Sequence, residues 1–309
     1  MTLYIVGAGM AGLLAANMLR KHGPVVLERS PDLPNNHSAV LRFRTNVVSE
    51  VLGIPFRRVT MMKTTLPWMN PVADAMAYAK KNLGKYESDR SISRTVESAE
   101  RWVAPPDLIA RMAESIDIRF GEDYRFNEGR PKVISTVPMP ALMKAIGYDR
   151  RIKIAFRSTA GINAIARVDD CDAFVTINVP HPMLPYSRVS VTGDILIVEY
   201  PLRDQREEDE TFYKDRLFEA ADLLGINGAD IGEVKVKYQQ YQKIAPIDDV
   251  ERKNFIHYAS SVKGVAWQLG RFATWRPGLL LDDLIKDVRL IERWMASPTS
   301  AYEMEMHRV

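Results

Sequence analysis

Three glycines and one glutamate set the chemistry that this chain can do. Gly7, Gly9 and Gly12 stand in the run Gly7-Ala8-Gly9-Met10-Ala11-Gly12, after the apolar residues 3–6 and before the apolar residues 13–19. A buried parallel strand, a glycine turn and a helix, in that order, build a cradle for a dinucleotide pyrophosphate. The first glycine permits the tight turn, the second lets the backbone approach the phosphates, and the third lets the helix lie close to the strand. The phosphates then rest on the N–H groups and the positive dipole end of the helix. Glu28 ends a second apolar run, Val25-Val26-Leu27. It lies about twenty residues beyond the first glycine, where a carboxylate accepts hydrogen bonds from a ribose diol. Ala8, Met10, Ala11 and Arg29 complete the expected contact surface.

Further candidates follow in the chain. The segment 37–44 carries His37, Arg42 and Arg44. The two arginines either neutralise a pyrophosphate or hold an anionic substrate, or they are solvated residues on a half-buried strand. His37 is a candidate catalyst or a hydrogen-bonding loop residue. The run 131–138 reads as a short strand ending in Thr136-Val137-Pro138 before a helix over 141–146. Near the C-terminus, Lys243-Ile244-Ala245-Pro246-Ile247 leads to a helix over 250–260 and a strand over 265–269. Gly270-Arg271 then opens a loop holding Trp275 and Gly278. A last helix over 279–295 shows Leu280, Leu284, Val288, Ile291 and Met295 at helical spacing. Asp282 and Asp283 fall in its first turn, where carboxylates suit the dipole.

The elements between these pieces must position them. A strand expected over 56–62, a helix over 71–83 with Asn70 as cap and Pro71 at its first position, and a strand over 116–120 precede the 131–138 run. From 155 to 200 the pattern becomes β: 155–167, 173–179, 186–192 and 195–200 alternate or carry β-branched runs between turn signals. A helix over 208–224 and a strand over 234–243 complete an antiparallel platform. The fold expected is α/β, with a Rossmann-type, glutathione-reductase-like cofactor domain from 1–50, 105–150 and 262–309. A β-rich substrate domain comes from 51–104 and 151–261.

Composition narrows the class. A chain of 309 residues suits a two-part enzyme. Its net charge of +3 permits an anionic substrate or nucleic acid without requiring one. The single cysteine, Cys171, excludes a disulfide framework and a cysteine-based metal cluster, and no metal site is expected. No apolar run is long enough for a membrane span. The single cysteine fits a reduced, cytosolic setting, and the first strand begins almost at once, so no signal peptide is expected.

The N-terminal fingerprint and the C-terminal Gly-Arg strand–loop–helix together resemble the clan of flavin amine oxidases and UDP-galactopyranose mutases. In those mutases a Pro-Ile turn, a helix, a strand and a Gly-Arg-Leu turn precede a final helix facing the flavin. Here Pro246-Ile247, the helix from Val250, Gly270-Arg271 and the helix from Leu279 occupy those slots. The match covers the first fifty and the last seventy residues, roughly, and leaves the middle unmatched. The mutase Gly-Gly-Asn turn and its Tyr-rich stretch are missing, as is the Gly-Gly-Arg turn of glutathione-reductase-type flavoproteins. The stretches 37–44 and 270–277 also look like small flavin-dependent proteins of bacterial viruses, some of which elaborate thymine bases with amino-acid substituents.

The resemblance implies FAD as cofactor, held by Gly7 to Gly12, Glu28, Arg29, Arg42, Thr136, Gly270, Arg271, Gly278, Leu279 and Leu280. A nicotinamide dehydrogenase would explain the N-terminus equally well but leaves the Gly-Arg loop unexplained. Lys243, by analogy with the amine oxidase lysine, and His37 are the catalytic candidates, and Arg44 and Trp275 the substrate contacts. The activity implied is oxidative cleavage of a C–N bond in an amine or amino-acid-like substrate. A modified thymine, free or in DNA within a host cytoplasm, is one such substrate. The alternative is a mutase-like, non-redox enzyme acting on a sugar nucleotide.

Overall fold

A computed structural model describes residues 2–33, 41–87, 92–126, 133–148, 154, 156–202, 209–261 and 267–296. The chain opens with β1 (Tyr4–Val6), α1 (Met10–Met18) and β2 (Val25–Glu28). It crosses to a second region through β3 (Arg42–Phe43), α2 (Val47–Leu52), β4 (Arg57–Thr65), α3 (Pro71–Leu83) and β5 (Glu97–Val103). It returns through α4 (Leu108–Ala113), β6 (Asp117–Phe120), β7 (Val133–Ser135) and α5 (Met139–Ala145). A second excursion comprises β8 (Ser158–Arg167), β9 (Ala173–Asn178), β10 (Arg188–Gly193), β11 (Ile195–Leu202), α6 (Glu210–Asp222) and β12 (Lys235–Ile244). The chain closes with α7 (Asp249–Ser261), β13 (Trp267–Gln268) and α8 (Leu281–Ala296).

Among the described residues the strands form two sheets. One is parallel, in the order β13-β7-β1-β2-β6. Its central strands β1, β2 and β7 are mostly buried, which is why they read as apolar runs rather than alternating ones, whereas the edge strand β6 is largely exposed. The order reverses between β1 and β7, and open α/β sheets bind ligands beyond the strand ends at such a switch point.

The other sheet runs β12-β8-β11-β10-β9-β4-β5-β3 and is antiparallel except where β4 meets β9. Its two faces differ. Ile162, Ala164, Val189, Val191, Leu196, Val198 and Tyr200 pack under Tyr213, Leu217, Ala220 and Ala221 of α6. The other face carries Asn163, Thr176, Asn178, Arg188, Ser190 and Glu199 among apolar residues such as Ile165 and Ile197. α3 reaches that side, where Tyr78 donates to Asn178 (3.1 Å). Asn70 caps α3 by accepting from the N–H groups of Val72 and Ala73 (3.1 and 2.9 Å). The wholly buried Asp74 in its first turn takes Arg94 (2.7 Å) and the Met69 N–H (2.9 Å). These bonds explain why the helix keeps the bounds that its Asn-Pro start predicts.

Two elements fall outside the grouping expected for them. β3 lies within the first fifty residues, yet it pairs with β5 and so belongs to the large sheet. α7 falls in the range expected for the substrate part, but Phe255, Ile256 and Ala259 share a core with Val6, Val25 and Val133.

Candidate functional site

The glycine turn is built as its spacing requires. Gly7 has φ +101°, and a Cβ there would overlap Thr136 Oγ1. That hydroxyl donates to the Val6 carbonyl (2.8 Å), so Thr136, at the end of β7, closes the switch point against the turn. A Cβ on Gly12 would overlap the Gly7 carbonyl, whereas one on Gly9 would meet nothing within 4 Å. Gly12 is therefore a packing glycine, and Gly9 faces open space where a ligand can approach. From the other end of the chain, Gly270 (φ +102°) brings the Gly-Arg turn against Ala11, so close that a Cβ on Gly270 would lie 3.0 Å from the Ala11 methyl. Residues some 260 positions apart thus share one cradle. Ala8 and Met10 turn their side chains into the core, so their contribution to a ligand is backbone.

Glu28 ends β2 beside this cradle and is 9% exposed. Its Oε2 accepts from the Ala8 N–H (2.8 Å) and its Oε1 from the Ser30 N–H (2.9 Å). A carboxylate has about four lone-pair positions, so two remain for a diol. Arg29, next in line, is exposed. The donor set and the open side of Gly9 fit a dinucleotide.

A second constellation lies on the polar face of the large sheet. Arg188 on β10 stands directly opposite Glu199 on β11, and Glu199 opposite Asn163 on β8. Residues paired in this way share a face. Arg188 binds Glu199 through Nε (2.7 Å) and also through its second nitrogen, and Lys243 Nζ of β12 lies 3.5 Å from the other carboxylate oxygen. Burial alone would raise the Glu199 pKa, but Arg188 and then Lys243 outweigh it and hold the carboxyl down at about 2. Gln242 fills the space left by Gly161 and donates to Asn163 (3.3 Å). Arg42 reaches in from β3, donating to Thr176 Oγ1 (3.0 Å) and Met61 Sδ (3.3 Å).

Several predicted residues change place. Arg42, expected at the cofactor, donates to Thr176 of the large sheet (3.0 Å). Trp275, expected at the substrate, is a core residue: 1% exposed, its Nε1–H donates to the Ala245 carbonyl (3.0 Å) and its ring meets Phe156 edge-on (4.7 Å). The last helix begins at Leu281, not Leu279, because Asp283 accepts from the Leu280 N–H (2.9 Å) and so caps that start. Asp282 fastens Thr45 and the Arg44 backbone (3.1 and 3.2 Å). Leu279 joins the core around α1, while Gly278 and Leu280 are exposed. Arg44 is exposed, and Arg271 packs over the Phe272 ring (5.7 Å). His37 lies outside the described residues.

Sequence reasoning misses Arg188, Glu199, Asn163 and Gln242. Their signal is a single charge inside an apolar strand, as in Ile195-Leu196-Ile197-Val198-Glu199-Tyr200, since a charge buried there needs a partner.

A parallel Rossmann-like sheet beside a mixed, curled β-sheet is the fold of flavin oxidoreductases. Among solved structures the chain is similar to reduced UDP-galactopyranose mutase, with 12% identity, a TM-score of 0.70, and coverage of 98% of this chain and 95% of that one. It is also similar to a geranylgeranyl bacteriochlorophyll reductase-like protein from Thermoplasma acidophilum (11% identity, TM-score 0.57, 99% of this chain and 82% of that one). At such identities the likeness is one of fold. No family model matches the sequence, and no curated protein does. No helix among the described residues is long and apolar enough to cross a membrane.

Proposed function

We propose that this protein is an FAD-dependent oxidoreductase that removes a hydride from a carbon beside nitrogen in an amine or amino-acid-like substrate. With loss of the N–H proton this leaves an imine, and water then hydrolyses the imine and opens the C–N bond. One observation carries the cofactor reading: the cradle in which Gly7, Thr136 and the Gly270 turn close around the N-terminus of α1, with Glu28 beside it and Gly9 open. FAD, when bound, accepts the hydride and hands the electrons to dioxygen. Backbone N–H groups after Gly9 receive the pyrophosphate, Glu28 and Arg29 the adenosine end, and Thr136, Arg271, Gly278, Leu279 and Leu280 the remainder. The polar face of the large sheet receives the substrate, and Lys243 beside Glu199 is the residue assigned to hold a water or proton there. Arg44 remains a candidate substrate contact, and His37 remains a candidate catalyst on the sequence alone. A modified thymine, free or in DNA, enters as one candidate substrate on sequence resemblance alone.

The full-length likeness to the mutase favours one second reading, a non-redox flavin enzyme acting on a sugar nucleotide. Anaerobic mixing separates the two. Bleaching of the flavin by an amine, with no added reductant, supports oxidation. Turnover only after prior reduction, with the flavin regenerated, supports the mutase-like reading. A colourless protein that takes up NAD and not FAD would overturn both.

A further inference from the structure

Arg42 is in an unusual position for an arginine. Its guanidinium is partly buried and its hydrogen bonds go to a hydroxyl and a thioether, while no carboxylate among the described residues forms an ion pair with it. Burial, and then the nearby charge of Arg188, bring its pKa down to about 10, with Glu199 only partly offsetting them. Glu199 is itself engaged by Arg188 and Lys243. Two guanidiniums therefore share one carboxylate, and buried charge of one sign is costly unless something balances it. The same face holds buried polar atoms with no hydrogen-bond partner among the described residues. Thr65 Oγ1 lies on the strand register of Asn178, and Gln242 Oε1 lies over Gly161. A face that is charged, partly unsatisfied and sheltered has the chemistry of a ligand seat.

We infer that Arg42, backed by Arg188, is the seat for an oxyanion of the substrate, a carboxylate or a phosphate. The guanidinium fork can grip two oxygens of such a group in parallel, which a lysine cannot. Thr176 and Met61 hold the fork in place without neutralising it, and Glu199 fixes Arg188 beside it. A plain amine would leave Arg42 unbalanced, so the substrate of this face carries a negative group. That the anion belongs to a substrate rests on the flavoenzyme reading; the seat itself does not.

The test is calorimetric titration of the purified full-length protein with benzoate and, separately, inorganic phosphate, with flavin content read from absorbance in the same samples. Saturable binding of either anion is expected, weakened about ten-fold or more in Arg42→Gln and less in Arg42→Lys, with flavin content unchanged. Arg58→Gln, an exposed arginine paired with Glu100, should bind as wild type. Benzoate binding alone assigns the seat to a carboxylate, and phosphate binding alone to a phosphate. No saturable binding, or equal affinity in folded Arg42→Gln or Arg42→Lys protein, overturns the seat. Loss of flavin with anion binding intact also overturns it, returning Arg42 to the cofactor. Arg42-dependent anion binding by a wild type that carries no flavin upholds the seat and overturns the flavoenzyme reading.

Discussion

Two carboxylates do opposite work in this chain, and each can be tested alone. Glu28 spends two lone pairs on its own backbone and keeps the rest for a ligand. Glu28→Ala removes a charge-assisted hydrogen bond worth roughly 1.5–3 kcal/mol, so FAD affinity should fall by about one to two decades in a fluorescence titration. Unchanged affinity would make Glu28 a purely structural brace of the turn. Glu199, in contrast, is held ionised by Arg188 and Lys243, with a pKa near 2 against an ordinary 4.5. A depressed carboxylate pKa adds stability that is fully present above the ordinary value and is lost as pH falls toward the folded one. Glu199→Gln should therefore lie furthest below wild type in thermal stability above pH 4.5, and the gap should narrow as pH falls toward 2. Leaving Arg188 without its partner should cost about 3–5 kcal/mol. A gap that stayed constant with pH would show that Glu199 titrates normally, and one that widened in acid would show that its pKa is raised on folding.

At the scale of elements, two glycines of the fingerprint separate folding from binding. A side chain on Gly12 strikes the Gly7 carbonyl, which is backbone and cannot yield. Gly12→Ala should lose structure, visible as low soluble yield or a depressed melting temperature. Gly9→Val points into open space, so it should fold as wild type by circular dichroism yet purify without flavin. If Gly9→Val kept its flavin, the pyrophosphate would not pass over this turn. The turn is legible in the sequence because its chemistry is local: strand, glycines, helix and Glu28 follow one another within a single crossover. α3 is legible for the same reason, since Asn70 and Pro71 carry their own start signal. Arg42 is not, because Thr176 lies 134 positions away and is brought near only by the order of β9, β4, β5 and β3. Trp275 misleads because an aromatic after Gly-Arg looks like a ligand contact. Its left-handed φ of +48° and its bond to Ala245 depend on where β12 ends. Alternation and β-branched runs do predict β4 and β8 to β12 but not β5, nor which charges meet across the sheet.

For the whole molecule, the path of the chain matters more than either sheet. It enters the large sheet at β3, leaves before β6, re-enters at β8 and leaves again after β12. Neither sheet is therefore a contiguous piece. The Trp275 indole bonds the end of β12, and Asp282 of α8 holds the loop after β3, so each region is pinned by residues of the other. Thermal or urea unfolding should accordingly follow one transition by far-ultraviolet and aromatic signals alike. A ligand bound only to the native state adds stability by mass action, about 2.7 kcal/mol at one hundred times its dissociation constant. Because the cradle is built from β1, β7 and the Gly270 turn, that gain should be felt by the whole transition. Adding FAD to stripped protein should raise a single midpoint by several degrees, about 2–4 °C per kcal/mol for a somewhat smaller protein. Two separate transitions, of which FAD moved only one, would show that the parallel sheet folds independently and that the pins between the regions contribute little.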